Sequence, residues 1–308
     1  MNHDRATMFD VEVSDEVATA LSEGRAVVAL ESTIFSHLGL PSPANEEALA
    51  RCESVVRTAG AVPAVTAVFG GVAQVGIDDA SRERVCGPAK KMAERDIPVA
   101  IAQRWDYGAT TVSAALALAE RAGISVFATG GIGGVHRGSE LTGDISADLD
   151  AIARRALVTV SAGAKAFLDL ARTLEYLETA GAPVLGWQTD DFPAFYTRSS
   201  GLSVPHRVDS AEVVAAIYRN RTRNDQGMLL TVPIPESDAL DVDHLDAVLT
   251  AALDECEAQG VRGAAITPFV LGRIAEATDG DSLPANLALA EHNAEIAAQV
   301  AVAISQAT

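Results

Sequence analysis

The 23 cationic side chains of this chain include only three lysines, Lys90, Lys91 and Lys165, the rest being arginine. A lysine beside other reactive groups is therefore worth reading as chemistry. Lys165 follows the β-branched run 157–161 through Ala162-Gly163-Ala164, and the sequence predicts a helix opening there. Small apolar neighbours and a helix N-terminus both push an ammonium toward the neutral amine, a nucleophile for carbonyl-like carbon. The alternative is a lysine snorkelling to solvent. Glu31 ends the apolar run 26–30 and precedes Ser32-Thr33. Partial burial would raise its carboxyl toward what a general acid needs near neutrality, whereas a solvated strand end would not.

Three further segments carry polar groups at suggestive spacings. In Asp144-Ile145-Ser146-Ala147-Asp148 two carboxylates stand four apart around a helix start, sharing one face if the segment is already helical. One of the two carboxylates with waters could hold a hard divalent cation while the other orients a sugar hydroxyl or a water; ordinary capping is the alternative. The run from Thr129 to Gly138, with His136, has glycines at a strand end, where backbone can approach a ligand closely. It is not a nucleotide fingerprint, because His136 stands where G-x-G-x-x-G counted from Gly131 needs its last glycine. Gly108 to Ser113, including Thr111 and Val112, would open a helix with free N–H groups and hydroxyls for a phosphate, with Lys90 or Lys91 as the cation.

These groups need a scaffold that brings strand ends together. Strands are predicted at 26–30, 61–69, 72–77, 98–102, 125–129, 157–161, 183–187 and 228–232. Helices are predicted at 45–60, 80–95, 109–122, 147–155, 164–180, 209–221, 242–259, 268–277 and 284–305. Asn45 would cap the first helix, and Gly123 and Gly181 stand where left-handed helix ends belong. Gly70-Gly71 predicts a hairpin, so the sheet is mixed. The expected fold is a three-layer α/β/α sandwich with a mixed, mostly parallel central sheet, one domain over residues 1–308.

With 308 residues, 48% of them hydrophobic, the chain can bury a large core. A net charge of −19 repels phosphate backbones and anionic headgroups, which argues against nucleic acid and membrane surfaces as partners. Cys52, Cys86 and Cys256 are scattered, without a C-x-x-C pair, so neither a disulfide framework nor a thiolate zinc site is expected. The polar N-terminus and the lack of a long apolar run lead us to expect a cytoplasmic protein.

Ala29-Leu30-Glu31-Ser32-Thr33-Ile34, the runs 108–114, 127–138 and 144–149, Ala162-Gly163-Ala164-Lys165, the run 173–179, and Thr189-Asp190-Asp191-Phe192-Pro193-Ala194-Phe195-Tyr196 together resemble one family. It is the pseudouridine-5′-phosphate glycosidase, or indigoidine synthase A-like, family, and the resemblance runs from about residue 11 to 302. It implies reversible cleavage of the C–C glycosidic bond of pseudouridine 5′-phosphate with water, giving uracil and ribose 5-phosphate. Position by position, it implies Lys165 as covalent nucleophile forming an imine, Glu31 as proton donor, Asp148 as a further catalytic group and Asp144 as ligand of one Mn²⁺ per subunit. Lys91 and Val112 fall at the phosphate end and Asn286 at the base, with Thr111, Thr129, His136, Ser146, Ala147 and Asp148 as further substrate contacts. Lys91 is preferred to Lys90 because the family's lysine stands four before an Arg-Asp pair, here Arg95-Asp96. A departure is Ala288-Leu289-Ala290-Glu291-His292-Asn293, where paired asparagines are usual.

The resemblance also implies a homotrimer and a functional link to a separate pseudouridine kinase. From the residues alone, a Schiff-base sugar-phosphate aldolase, a ribokinase-type sugar kinase and a non-enzymatic nucleotide sensor remain open. Uracil release from pseudouridine 5′-phosphate separates the first reading from all three.

Overall fold

The computed structural model describes residues 9–261, 266–278 and 280–306; residues 1–8, part of the polar N-terminus noted above, lie outside it. Its strands are β1 (Val11–Val13), β2 (Val27–Leu30), β3 (Val62–Phe69), β4 (Val72–Val75), β5 (Lys90–Met92), β6 (Tyr107–Thr110), β7 (Val126–Ala128), β8 (Val158–Ser161), β9 (Val184–Trp187), β10 (His206–Val208) and β11 (Met228–Thr231). Its helices are α1 (Asp15–Ser22), α2 (Ala44–Thr58), α3 (Asp79–Val85), α4 (Ile97–Ala102), α5 (Val112–Ala122), α6 (Ser139–Thr142), α7 (Ala147–Arg154), α8 (Leu170–Ala180), α9 (Ala211–Arg219), α10 (Val242–Ala258), α11 (Ile266–Ala277) and α12 (Ser282–Ser305).

The strands form one sheet in the order β1-β4-β3-β2-β7-β8-β11-β9-β10, with β6 joining β3 to β5. Pairing is parallel except where β3 meets β4 and β6. The expected hairpin is present: Gly70 and Gly71 both take positive φ, 59° and 86°, so β3 turns straight into β4. The first half of β3 pairs with β2 and its second half with β4 and β6, while the Thr66 hydroxyl donates to the Leu30 carbonyl.

Two groups of helices cover the sheet. Helix α12 packs on α2, α9 and strands β2, β7 and β8, whereas α5, α7 and α8 pack in sequence on one another, with α5 also against β2, β3, β4 and β7, α7 against β11 and α8 against β9. The layers exclude water because β2, β3, β8, β9 and β11 are buried along their whole length. The three-layer, mostly parallel α/β expectation holds. Among the described residues no helix is long and apolar enough to cross a membrane.

Several local expectations fail for identifiable reasons. Residues 98–102 are helix α4, not a strand: Pro98 sits in its first turn and Ile97 and Ala100 face inward, while the alternate residue Val99 is 41% exposed. The helix expected over 80–95 stops at Val85, before Gly87-Pro88, and 90–92 then pairs with β6. Asn45 does not cap α2. It is buried, and its amide donates to the carbonyls of Phe35 and Cys86, holding two loops together.

The most consequential difference lies at 162–169, which is not helical but a run of isolated bridges with a turn closed by Leu168 N donating to Lys165 O at 3.0 Å. Helix α8 begins only at Leu170, capped by the Asp169 carboxylate, which accepts from Arg172 N at 3.0 Å. The glycine-rich segment instead runs beside 163–169: Ile132 N donates to Gly163 O, Lys165 N to Ile132 O and Asp169 N to Val135 O. Backbone pairing, not a helix start, positions Lys165.

Candidate active site

Strands β2, β7 and β8 are parallel neighbours, so their C-terminal ends share one edge of the sheet. Glu31 follows β2, the glycine segment follows β7 and the 162–169 segment follows β8. They meet around a cavity of about 340 Å³, the position at which open α/β sheets bind ligands.

Glu31 is only 9% exposed and lines this cavity. Burial pushes its carboxyl above the usual range, against the opposing pull of Lys165 and of the Thr129 hydroxyl, which donates to Glu31 Oε1. Thr129 thus stands behind Glu31, outside the cavity wall on which the family resemblance would have it touch substrate. Its carbonyl and that of Gly130 accept from the Asn293 amide at 2.9 and 3.1 Å. Sequence spacing carried no signal for that brace, since Asn293 is 164 residues away.

Lys165 reaches the same cavity, and its Nζ donates to Gly131 O at 2.7 Å. Burial lowers its pKa, and Lys91 acts in the same direction, against the charges of Glu31 and Asp148. The sequence-based argument from a helix dipole does not apply, because no helix begins here. A carboxyl pushed up and an ammonium pushed down face one space, two shifts with one leading cause in desolvation.

Asp148 is braced on both oxygens. Oδ1 accepts from Ser113 N at 3.0 Å and Oδ2 from Gly133 N at 2.9 Å. It therefore ties the start of α5 to the glycine loop at the cavity wall. Ser146 caps α7, its hydroxyl accepting from Asp148 N, and Ser146 and Ala147 line the cavity. Asp144 precedes the helix, so the two carboxylates do not share a helical face as four-residue spacing would suggest. Asp144 Oδ2 instead lies 3.9 Å from His136 Nδ1. Burial holds His136 below the usual imidazole range, despite Asp144.

Alternation along β5 separates the adjacent lysines. Lys91 lines the cavity, whereas the Lys90 ammonium sits 4.9 Å from the centre of the Trp105 ring. Thr111 and Val112, at the start of α5, complete this end, where helix N–H groups and Lys91 suit an anion. Asn286 of α12, 7% exposed, also lines the cavity. His292 does not line the cavity; it turns to Glu295 of its own helix.

The sequence reading missed Phe195, Thr33, the 38–40 loop and Leu271, all on the wall. Phe195 had a possible signal only in the length of its motif. Its backbone takes a positive φ of 62°, and a Cβ on Gly131 would come 2.4 Å from its ring. Gly131 is thus required for ring and loop to coexist.

Among the described residues no three His, Cys, Asp or Glu side chains gather as ligands. A cation caged by protein donors does not fit. A hydrated hard cation held by the Asp144 carboxylate, open to the cavity, does.

The family model described as indigoidine synthase A like protein matches residues 16–303. A protein from Chloroflexus aurantiacus named pseudouridine-5′-phosphate glycosidase is 50% identical over 304 residues, covering 96% of this chain and 99% of that protein. A protein of the same name from Caldanaerobacter subterraneus is 48% identical, covering 96% of this chain and 97% of that protein. Among solved structures, the prealnumycin C-glycosynthase AlnA in complex with ribulose 5-phosphate is 41% identical with a TM-score of 0.89, covering 98% of this chain and 99% of that one. An indigoidine synthase A-like protein from Thermotoga maritima is 34% identical with a TM-score of 0.87, covering 99% of this chain and all of that one. A buried acid and a buried amine at one strand edge, in a chain similar over nearly its whole length to these proteins, belong together: the chain is a member of the indigoidine synthase A-like family.

Proposed function

We propose that the chain cleaves the C–C glycosidic bond of pseudouridine 5′-phosphate with water, reversibly, to uracil and ribose 5-phosphate. One observation carries this reading: Glu31 and Lys165, shifted in opposite directions by burial, face the same cavity. The relatives that carry this activity in their name support it. A carbon leaving group is a far poorer anion than a nucleobase nitrogen, so the base carbon must gain a proton as the bond breaks. Glu31 supplies that proton. The Lys165 amine attacks C1′, the C1′–C5 bond breaks with its electron pair going to C5 of the base, and the ribose ring opens to leave an imine on Lys165. The two protons lost from the amine balance those gained at the base carbon and at the ring oxygen. Water then hydrolyses the imine and releases ribose 5-phosphate and the free lysine. Uracil release by the pure protein is the direct test, and none from pseudouridine 5′-phosphate would refute the reading.

Lys91 and the start of α5 hold the phosphate in this reading. A charge-assisted bond from one lysine contributes about 1.5–3 kcal/mol, so Lys91→Ala should raise KM by roughly tenfold to a hundredfold. Lys90→Ala should change KM little, since its ammonium lies over Trp105. Steady-state kinetics on the two variants decide it, and the reverse ranking would mean that the wrong lysine has been chosen.

A divalent cation on Asp144, Mn²⁺ in the family resemblance, would supply positive charge beside the sugar phosphate. Asp144→Ala is expected to abolish metal-dependent turnover with circular dichroism and melting temperature unchanged. Full activity of that variant in the presence of a chelator would remove Asp144 from this role. The same proposal extends to a cytoplasmic homotrimer supplied with substrate by a separate pseudouridine kinase, as the family resemblance implies.

A further inference from the structure

One part of the cavity wall is built on a sharp corner at Phe195-Tyr196. Phe195, in the left-handed region, sends its ring to the cavity wall. Its backbone is pinned there, since Phe195 N donates to Ala162 O at 2.9 Å and Leu240 N donates to Tyr196 O at 3.0 Å. The adjacent Tyr196 ring meets that of Phe195 edge-on, at 4.6 Å and 74°, and is buried against α12. A residue at positive φ in a bulky side chain is costly, and such strain concentrates where a side chain must be aimed.

Tyr196 meets Asn286, which also lines the cavity. The Asn286 amide nitrogen donates to the Tyr196 hydroxyl at 3.3 Å. The Asn286 carbonyl oxygen, Oδ1, is buried and has no partner. Burial keeps the Tyr196 phenol protonated, and Ser282 also bonds it. The phenol can therefore hold the amide's donor end without changing charge. Leaving a buried acceptor unpaired is expensive unless a ligand satisfies it.

We propose that Tyr196 is a specificity-determining positioning residue: by holding the Asn286 amide nitrogen, it fixes the Asn286 carbonyl oxygen as a hydrogen-bond acceptor that requires a ring N–H on the base. The inference rests on the proposed cleavage of pseudouridine 5′-phosphate. Uracil carries two ring N–H groups, and a base presenting C–H at the recognised position leaves Oδ1 unsatisfied. A cytosine-like edge with a bare ring nitrogen would set two lone pairs against each other. A site built to bond an N–H rejects the analogue that lacks it more strongly than a merely apolar slot does.

The test is product inhibition of uracil release by uracil and by its two deaza analogues, 1-deazauracil and 3-deazauracil, each of which replaces one ring N–H by C–H. Wild type should bind one of the analogues about tenfold to a hundredfold more weakly than uracil. In Tyr196→Phe the amide is free to turn, so uracil should weaken and the ratio between uracil and that analogue should shrink to within about threefold. A purely structural role of Tyr196 would weaken all three inhibitors alike and leave the ratio where it was. Asn286→Asp gives a second reading that does not depend on the Tyr196 variant folding. It keeps an acceptor toward the base and should preserve the preference for uracil. Equal binding of all three compounds by wild type, an unchanged ratio in Tyr196→Phe, or loss of the preference in Asn286→Asp would each overturn the inference while uracil release continues. Absence of uracil release by wild type would instead refute the underlying function, and the inference with it.

Discussion

Lys165→Arg should lose turnover of pseudouridine 5′-phosphate by roughly a thousandfold or more and still bind ribose 5-phosphate. A guanidinium stays protonated at any workable pH, so the variant keeps a positive charge in the cavity but has no lone pair to attack C1′. Wild-type Lys165 is different because burial lowers its pKa, while its Nζ donates to the Gly131 carbonyl, an acceptor that leaves the nitrogen lone pair unused. During turnover borohydride should reduce the imine and attach the opened sugar phosphate to Lys165. Peptide mapping would find the mass on this residue and leave Lys90 and Lys91 unlabelled. Labelling at either of those lysines, or brisk turnover by Lys165→Arg, would show that attack comes from elsewhere or that water attacks directly.

Glu31→Gln should also lose cleavage by orders of magnitude, but at a different step. Without a proton for the base carbon the C–C bond should not break, whereas the imine should still form from ribose 5-phosphate and remain open to borohydride. The pH profile carries the sign. Glu31 must be protonated to act as acid, so kcat/KM should fall as pH rises through its raised pKa. Lys165 must be neutral, so kcat/KM should fall as pH drops through its lowered pKa. Thr129→Val removes a hydrogen bond that favours the carboxylate, so the alkaline limb should move to higher pH. An alkaline limb that moves to lower pH, or does not move, would separate Thr129 from the acid.

Much of this site was legible in one dimension because its groups lie at strand ends. A β-branched run followed by Glu31, or by Gly130-Gly131, is visible in composition, and parallel pairing brings such ends to one edge. The choice between Lys90 and Lys91 was harder. The family register favoured Lys91, and alternation along a two-sided strand gives the physical reason. Yet β5 could not be recognised as a strand, because two lysines and a methionine carry no β signal and only pairing with β6 makes them one. Residues 98–102 went the other way. A short apolar run fits strand and helix equally, and burial of Ile97 and Ala100 decided it.

What the sequence by itself determined was the class of fold, Glu31 and Lys165 as the candidate reactive side chains, and the glycines that let backbone approach a ligand, since these depend on residue type and on patterns a few residues long. Tertiary structure alone decided how each group is set. Lys165 owes its environment to a non-helical segment bridged to the glycine loop, not to a helix dipole. Asp148 is held by two backbone N–H groups from other segments, and Glu31 is backed by Thr129, which Asn293 braces from α12. Each of these contacts joins residues distant along the chain. Their strength depends on desolvation, which exists only once the layers have closed and water has left.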